Sequence, residues 1–223
     1  MISSRINFKK SPVYESVKRL MDIVFSACFG ILLLPFIIIT AIAIKLTSQG
    51  PILADTPSRV GKVGKPFKMY KFRSMIVNAH QELRRNPKFA NLYQRYKKSS
   101  YKLKDDPRMT LVGRFIRKHF IDEIPQFINV LRGEMSIVGP RAYYPDELRE
   151  QQAKYPHTKE LVKVVLSIRP GITGAWQVSG RSEINFDKRI EMDARYVEMR
   201  SIWYDMFIML KTPWAVFTGK GAL

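Results

Sequence analysis

The sequence predicts an α+β fold that is mostly helical and carries a membrane anchor near its N-terminus. Three features support this prediction. A segment of 22 residues between Asp22 and Lys45 contains no charged side chain. A run of turn-forming residues, Gly61, Gly64 and Pro66, separates two strand-like stretches. Several later segments show the apolar spacing of amphipathic helices.

The composition fits one domain with a basic surface. The chain has 223 residues, which is enough to bury a core, and its one cysteine, Cys28, excludes an internal disulfide. The histidines, His80, His119 and His157, show no metal-ligand spacing, so no zinc site is predicted. The net charge is +19, and nearly all of the excess precedes residue 122. Such a charge indicates anionic lipid, nucleic acid or a phosphorylated substrate as the partner.

The uncharged segment is long enough to cross a bilayer core as one straight helix, at about 1.5 Å per residue. Pro35 lies near its middle, where proline removes a helical hydrogen bond and kinks the axis. Both flanks are basic, with five Lys/Arg in residues 1–21 and nineteen in residues 45–121. Because basic flanks prefer the cytoplasm, we predict a re-entrant helix-break-helix. A straight span and a signal peptide cleaved near residues 41–43 are the alternatives.

This topology divides the chain into three parts. Residues 1–22 form a basic N-terminal segment, residues 23–46 form the re-entrant membrane helix, and residues 47–223 form a cytoplasmic domain. We expect the last apolar, aromatic segment, residues 201–217, to be a helix that lies in the membrane interface. A helix packed in the core is the alternative.

Residues 51–59 and 67–75 predict a β-hairpin. Lys71 and Arg73 are two residues apart on the second strand, so their side chains share one face and can both approach a diphosphate. A solvated basic edge that discourages aggregation is the alternative. The following basic, tyrosine-rich residues 76–104 predict helices broken at Pro87, and they suit either single-stranded nucleic acid or lipid headgroups.

Two adjacent acids, Asp122 and Glu123, stand at the centre of the chain. Asp122 precedes Pro125, so we expect it to be the N-cap of a helix with Pro125 in the first turn. The N-terminus of such a helix favours a phosphate. The alternative is that Asp122 only caps the helix and Glu123 is solvated.

A helix from about Asn185 to Arg200 has Phe186, Ile190 and Val197 on one face, and Asp193 falls on the same face. A carboxylate on a core-facing line must be paired or must face a site. Upstream, the glycine-rich residues 169–174 and 180–181 predict ordered loops that carry basic side chains.

An ordered set of motifs resembles the bacterial sugar transferases, a family of small monotopic phosphoglycosyl transferases that act on polyprenol phosphate. The motifs are Lys71-Phe72-Arg73-Ser74-Met75, Asp106-Pro107-Arg108, Gly113-Arg114, Asp122-Glu123-Ile124-Pro125-Gln126, Asn129-Val130, Met135-Ser136, Val138-Gly139-Pro140-Arg141, Pro170-Gly171-Ile172-Thr173-Gly174 and Trp176-Gln177-Val178-Ser179-Gly180-Arg181. The resemblance covers nearly the whole chain from about Lys18 onward.

The resemblance implies transfer of a sugar phosphate from a UDP-sugar to undecaprenyl phosphate, with release of UMP, as the first membrane step of surface glycan synthesis. It implies Asp122 as the nucleophile that forms a covalent phosphosugar intermediate, and Glu123 as a Mg²⁺ ligand and a possible base. It assigns Lys71, Arg73 and Arg141 to the diphosphate. It further places Asp193 and Tyr196 near the phosphate site.

The implied location is the bacterial inner membrane, with the catalytic domain facing the cytoplasm. The implied partners are the two substrates and membrane lipid, with no nucleic acid, and a homo-oligomer is left open. Two other classes remain: a basic protein that binds nucleic acid or the membrane, and a non-catalytic scaffold for glycan enzymes. The sequence does not indicate which sugar is transferred.

Overall fold

A computed structural model describes residues 10–98, 103, 106–180 and 184–217. This part of the chain is mostly helical, as the sequence predicts, and it contains two small sheets. The helices are α1 (Pro12–Leu32), α2 (Leu34–Thr47), α3 (Ala79–Arg85), α4 (Ala90–Lys98), α5 (Leu111–Lys118), α6 (Gln126–Leu131), α7 (Pro145–Lys154), α8 (Lys159–Val165), α9 (Phe186–Met199) and α10 (Ile202–Phe217). The strands are β1 (Arg59–Val60), β2 (Pro66–Phe67), β3 (Ser136–Val138) and β4 (Gly171–Thr173).

The N-terminal helices α1 and α2 form a bent pair. Their axes meet at 60° across Leu33, and Pro35 lies in the first turn of α2, which confirms the break predicted near this proline. Among the described residues, no single helix has both the length and the apolar composition of a membrane span. Only α1 and α2 taken together reach those limits.

Helix α1 begins at Pro12, eleven residues before the predicted membrane segment of residues 23–46. Ser11 accepts a hydrogen bond from the Tyr14 backbone N–H at 3.2 Å, and Pro12 occupies the first turn, where its missing N–H costs nothing. The helix then runs through Lys18 and Asp22, which are buried against other elements. The predicted border between residues 22 and 23 therefore falls inside a continuous helix.

The burial pattern of α1 and α2 differs from that of a helix in a soluble protein. The side chains that α1 buries are polar, namely Lys18, Asp22 and Ser26. Large apolar side chains point outward instead, and Ile31 and Ile39 are 75% and 65% exposed. A soluble helix normally buries its apolar stripe, so this outer surface needs an apolar environment.

The predicted hairpin is present, but its strands are shorter than expected. Strands β1 and β2 are antiparallel, and one further bridge joins Leu53 to Phe72. Pairing with residues 51–59 resumes only around Leu53 and Phe72, because other backbone groups of residues 67–75 bond to different segments. The Tyr70 N–H donates to Asn129 Oδ1, and the Phe72 N–H donates to the Asp122 carbonyl oxygen. The segment thus joins the hairpin to α6 and to the acid pair.

Strands β3 and β4 form a parallel pair that the sequence analysis did not predict. The two strands approach so closely that a Cβ atom on Gly171 would lie 2.1 Å from the Gly139 nitrogen. Glycine is therefore required here for contact between two backbones. Arg141 follows β3 directly, so this pair positions it.

Helix α9 confirms the predicted helix from Asn185, and the break between α3 and α4 lies at Asn86–Pro87, as expected.

Helix α10 confirms the predicted helix over residues 201–217. It buries Asp205 and Ile208 and exposes Trp203, Leu210 and Trp214. Since α10 has both a packed and an exposed face, neither predicted alternative describes it completely.

Candidate active site

A cavity of about 480 Å³ lies between the 67–75 segment, the acid pair and the parallel strands. This volume is typical of a site for a small molecule. Among the described residues, its charged lining consists of the basic side chains Arg59, Lys71, Arg73, Arg108, Arg117 and Arg141 and the acidic side chains Asp55, Asp106, Asp122 and Glu123. A basic cavity of this size suits a substrate that carries phosphate groups.

Asp122 lies in a 3₁₀ turn, Ile121–Glu123, and the predicted N-cap role is wrong. Helix α6 begins four residues after Asp122, at Gln126, and Asp122 makes no side-chain cap bond. The turn begins at Phe120, whose backbone is left-handed at φ 58°. The Phe72 N–H holds it by a 2.9 Å hydrogen bond to the Asp122 carbonyl oxygen. The Asp122 carboxylate therefore lines the cavity and does not cap a helix.

The Asp122 carboxyl is buried, and burial raises its pKa to about 6. Lys71 and Arg117 oppose this shift, whereas the neighbouring Glu123 charge adds to it. The carboxyl is therefore largely ionised at neutral pH, although it is poorly solvated. A partly desolvated carboxylate in a cavity is a candidate nucleophile or base.

Lys71 and Glu123 form an ion pair in the site. The Lys71 Nζ lies 2.6 Å from Glu123 Oε1, and the two side chains are 20% and 32% exposed. Glu123 thus lines the cavity and is paired with Lys71. The pairing holds Lys71 beside Asp122, where its charge stabilises the Asp122 carboxylate.

Arg73 lies deeper than the hairpin prediction implied. Its guanidinium donates to the carbonyl oxygens of Ser48 and Gln49, and it is 3% exposed. Gly50 leaves the space that this side chain fills, since a Cβ there would lie 2.3 Å from Arg73 Nη1. Arg73 therefore ties the end of α2 to the cavity wall, and only part of its donor capacity remains for a substrate.

Arg141 lines the cavity at the end of β3. Its Nη2 lies 3.8 Å from Glu147 Oε1, and its guanidinium carbon lies 5.5 Å from the centre of the Trp176 ring. The acid and the ring together restrain the side chain without covering it. A guanidinium held in this way is suited to bind phosphate oxygens.

Asp193 and Tyr196 lie behind the cavity wall and do not line the cavity. Asp193 is fully buried, as the helix pattern predicted, and burial raises its pKa to about 7. Its Oδ2 accepts a hydrogen bond from the Arg141 backbone N–H at 3.1 Å. The Tyr196 hydroxyl lies 2.6 Å from Asp205 Oδ1 and 3.2 Å from the Val138 carbonyl oxygen. Both residues thus support the β3 end that carries Arg141.

A family model described as bacterial sugar transferase matches residues 13–219 of the chain. The chain belongs to this family. The family predicted from the ordered motifs is therefore confirmed.

Curated relatives of this sugar transferase include two proteins named for transfer to undecaprenyl phosphate and one named for exopolysaccharide production. It is 40% identical over 206 residues to the undecaprenyl-phosphate galactose phosphotransferase of Salmonella typhimurium, and this match covers 92% of the chain. It is 36% identical over 217 residues to the UDP-glucose:undecaprenyl-phosphate glucose-1-phosphate transferase of Escherichia coli, which covers 95% of the chain. It is 36% identical over 211 residues to the exopolysaccharide production protein ExoY of Sinorhizobium fredii, which also covers 95% of the chain.

The relatives differ in length. The matched region is 41% of the Salmonella protein and 42% of the Escherichia protein, but it is 90% of the Sinorhizobium protein. The chain thus spans about two fifths of the first two relatives and nearly all of the third.

Sequence reasoning missed several residues that line the cavity of this sugar transferase. The charge of Arg117 on α5 lowers the pKa of Asp122. The Arg117 guanidinium also donates a weak hydrogen bond to Met109 Sδ, at 3.5 Å. Its position five residues before Asp122 on an amphipathic helix was a signal that could have been used. Arg59, His80 and Tyr144 also line the cavity, but they come from distant segments, and no local pattern links them.

The acid pair of the sugar transferase fits a magnesium ion whose remaining ligands are water and substrate phosphates. The described residues contain no group of three His, Cys, Asp or Glu side chains that could hold a metal by themselves. Glu123 nevertheless offers a partly exposed carboxylate beside Asp122 in the cavity. Magnesium commonly takes one or two carboxylates and completes its shell with water and substrate phosphates. These residues fit that mode of binding.

Proposed function

We propose that this chain transfers a sugar 1-phosphate from a UDP-sugar to undecaprenyl phosphate and releases UMP. The observation that carries the proposal is the buried Asp122 carboxylate, which faces a basic cavity beside the Lys71–Glu123 pair. The named activities of the Salmonella and Escherichia relatives support the same reaction class. A panel of UDP-sugars, each with undecaprenyl phosphate, tests the proposal by assay of UMP release.

We expect more than one equivalent of UMP per protein only when a UDP-sugar and undecaprenyl phosphate are both supplied, whereas the UDP-sugar alone should release at most one equivalent. Release that does not depend on any UDP-sugar would refute the reaction. A non-catalytic scaffold would give no release, and a nucleic-acid-binding protein would give none either.

The first half-reaction begins at Asp122. One carboxylate oxygen attacks the phosphorus that carries the sugar, the bond from that phosphorus to the UMP oxygen breaks, and UMP leaves with the bond electrons. The product is an acyl phosphate that joins Asp122 to the sugar phosphate. Lys71 and Arg141 are placed to neutralise the phosphate oxygens, which would otherwise repel the attacking carboxylate.

The second half-reaction releases Asp122. An oxygen of undecaprenyl phosphate attacks the same phosphorus, the bond to Asp122 breaks, and the carboxylate is restored. Glu123 and, in part, Asp122 would hold magnesium, which supplies positive charge against the phosphate oxygens when it is bound. Because Glu123 lines the same cavity as Asp122, we also assign it as the base that activates the lipid phosphate.

We further propose that α1 and α2 form a re-entrant anchor in the bacterial inner membrane, with both basic flanks and the cavity on the cytoplasmic side. The outward apolar side chains of the bent pair and its 60° break support this topology. Membrane attachment suits the chemistry because undecaprenyl phosphate does not leave the bilayer.

The topology predicts that residues on both sides of the bent pair are inaccessible from outside the cell. Val13 is 72% exposed and Gln49 is exposed, so each can be replaced by cysteine in a Cys28→Ser background. We expect a membrane-impermeant maleimide to label neither site in intact cells. Adding Pro35→Leu restores helix continuity and should increase labelling of the Val13 site.

Permeabilised cells provide the control, since both cysteines must then react. Labelling of the Val13→Cys site in intact cells without the Pro35 change would indicate a straight span.

The raised pKa of Asp122 predicts a pH dependence. Since only the carboxylate attacks, the single-turnover rate of UMP release should rise as pH passes through about 6 and then level off. Lys71 is the strongest influence that lowers this pKa, so Lys71→Gln should move the midpoint to higher pH as well as slow the reaction.

The matched control is Lys62→Gln, because Lys62 is exposed on the hairpin turn away from the acids. Its midpoint should equal that of the wild type. An unchanged midpoint in Lys71→Gln would mean that Asp122 is not the group that titrates.

A further inference from the structure

One wall of the cavity has a different chemistry from the acid pair. Arg59, His80 and Tyr144 line the cavity together and contact one another through Tyr144. The Arg59 guanidinium carbon lies 3.2 Å from the centre of the Tyr144 ring, and the His80 ring centre lies 5.4 Å from the same ring. We call these three residues the aromatic wall.

Arg59 is held in place as a flat platform. Its Nη1 donates to the Ala142 carbonyl oxygen at 3.2 Å, and the next residue is fixed by a hydrogen bond from the Val60 N–H to the Tyr143 carbonyl oxygen. Its Nε is buried and has no hydrogen-bond partner among the described residues. A guanidinium stacked on an aromatic ring favours contact with another flat group.

His80 offers an unused nitrogen in the same wall. Its Nε2 is buried and makes no hydrogen bond within the described part of the chain. Burial and the charges of Arg84, Arg59 and Arg108 lower its pKa to about 4, so the imidazole is neutral at physiological pH. A neutral imidazole presents one donor and one acceptor without adding charge.

Two other described arginines near the aromatic wall, Arg84 and Arg108, are already paired. Arg108 bonds to Asp106 through two nitrogens, at 2.8 and 2.5 Å, and Arg84 pairs with Asp146. This end of the cavity is therefore less suited to the diphosphate than the end with Lys71. Sugar hydroxyls generally need several carboxylate or amide partners, and the aromatic wall supplies none of these groups.

We propose that Arg59, His80 and Tyr144 bind the uracil base of the donor nucleotide. Uracil is flat and uncharged, and its edge carries both donors and acceptors, which match a stacking platform and a neutral imidazole. This subsite rests on the proposed function, and it adds the group that recognises the nucleotide. The sugar and the diphosphate then extend towards Asp122.

The test compares two ligands of the full-length protein that differ in the base. UMP carries uracil, whereas ribose 5-phosphate lacks it, and neither contains the transferred sugar. We expect His80→Ala and Tyr144→Leu each to weaken UMP binding about tenfold, as for the loss of one hydrogen bond or ring contact. Ribose 5-phosphate, measured by competition, should bind all variants equally.

Two further variants make the result specific. His80→Gln keeps a hydrogen-bonding group and should recover part of the UMP affinity, which a purely structural role would not explain. His157→Ala removes an exposed histidine outside the cavity and should bind UMP like the wild type. Thermal unfolding checks each variant, and if Tyr144→Leu does not fold, the two His80 variants decide the outcome.

Equal weakening of UMP and ribose 5-phosphate would overturn the base subsite, because the wall would then bind ribose or phosphate. Unchanged UMP affinity with a raised KM for the UDP-sugar would also overturn it, since the wall would then contact the sugar. If the wild type bound neither UMP nor any UDP-sugar, the proposed function itself would fail, and the subsite with it.

Discussion

Asp122→Asn should reduce turnover at least about a thousandfold while the protein remains folded. The substitution keeps the size of the side chain but removes the oxygen charge that attacks phosphorus. Asp122→Glu should fail nearly as badly, because the added methylene displaces the attacking oxygen by more than the positioning of a reaction tolerates. Steady-state UMP release measures both effects.

The stability of Asp122→Asn gives an independent check. The folded-state pKa of Asp122 is raised, so the wild type loses stability as pH rises from the unfolded pKa, about 4, to the folded pKa of about 6. Asparagine has no charge to desolvate. The variant should therefore be at least as stable as the wild type above pH 6, by thermal unfolding, and a large loss of stability would indicate a structural role instead.

The covalent intermediate distinguishes the two acids. Wild-type protein incubated with its UDP-sugar, without undecaprenyl phosphate, should gain the mass of one sugar phosphate. Trypsin cleavage after Lys118 and Arg132 releases a peptide that contains both Asp122 and Glu123. The fragment ions of this peptide must therefore show which of the two residues carries the added mass. Glu123→Gln is the matched control and should still form the adduct on Asp122, but more slowly.

An adduct on Glu123 would reverse the two assignments. If turnover is intact and efficient trapping yields no adduct, direct transfer between the two bound substrates becomes the better mechanism.

Local signals in the sequence predicted those elements whose cause is local. Pro35 breaks the apolar segment because proline cannot complete the helical bond, and the apolar spacing of α9 predicted the burial of Asp193. The ordered motifs predicted the family because several motifs occur in the same order along the chain, so the prediction did not depend on any single motif. Asp122, Glu123, Lys71 and Arg141 all line one cavity, although their catalytic roles remain predictions.

Contacts between distant segments explain what the sequence did not predict. Asp122 is not a cap because Phe120 adopts a left-handed turn that Phe72 supports from a segment far along the chain. Arg73 shares a strand pattern with Lys71, yet it is occupied by carbonyl groups at the end of α2. The pairing of β3 with β4 depends on glycine for backbone contact, and glycine in sequence equally predicts a loop.

A buried charge network joins α1 to β3 and α10. Lys18 Nζ lies 3.1 Å from Asp22 Oδ1 and 3.0 Å from Asp205 Oδ2, and all three side chains are nearly inaccessible. Asp22 also accepts hydrogen bonds from the Ser136 hydroxyl and the Ile137 N–H, at the start of β3. One lysine on α1 therefore neutralises carboxylates that fix α1 to β3 and α10.

Lys18→Met should destabilise the protein by about 3–5 kcal/mol, because it leaves two buried carboxylates without their cation. The free energy of unfolding, measured in lipid nanodiscs, tests this value, and Lys159→Met on the exposed face of α8 is the control. We also expect kcat/KM of the surviving folded fraction to fall, since β3 leads directly to Arg141.

The double variant Lys18→Met with Asp205→Asn separates charge from packing. If the loss in Lys18→Met arises from an unpaired buried charge, removal of the Asp205 charge should restore much of the stability, although Asp205→Asn alone should be destabilising. If the loss arises from the shape of the lysine side chain, the two effects should instead add. Additive losses, or a Lys18→Met protein as stable as the wild type, would contradict the view that this charge network holds α1 to β3 and α10.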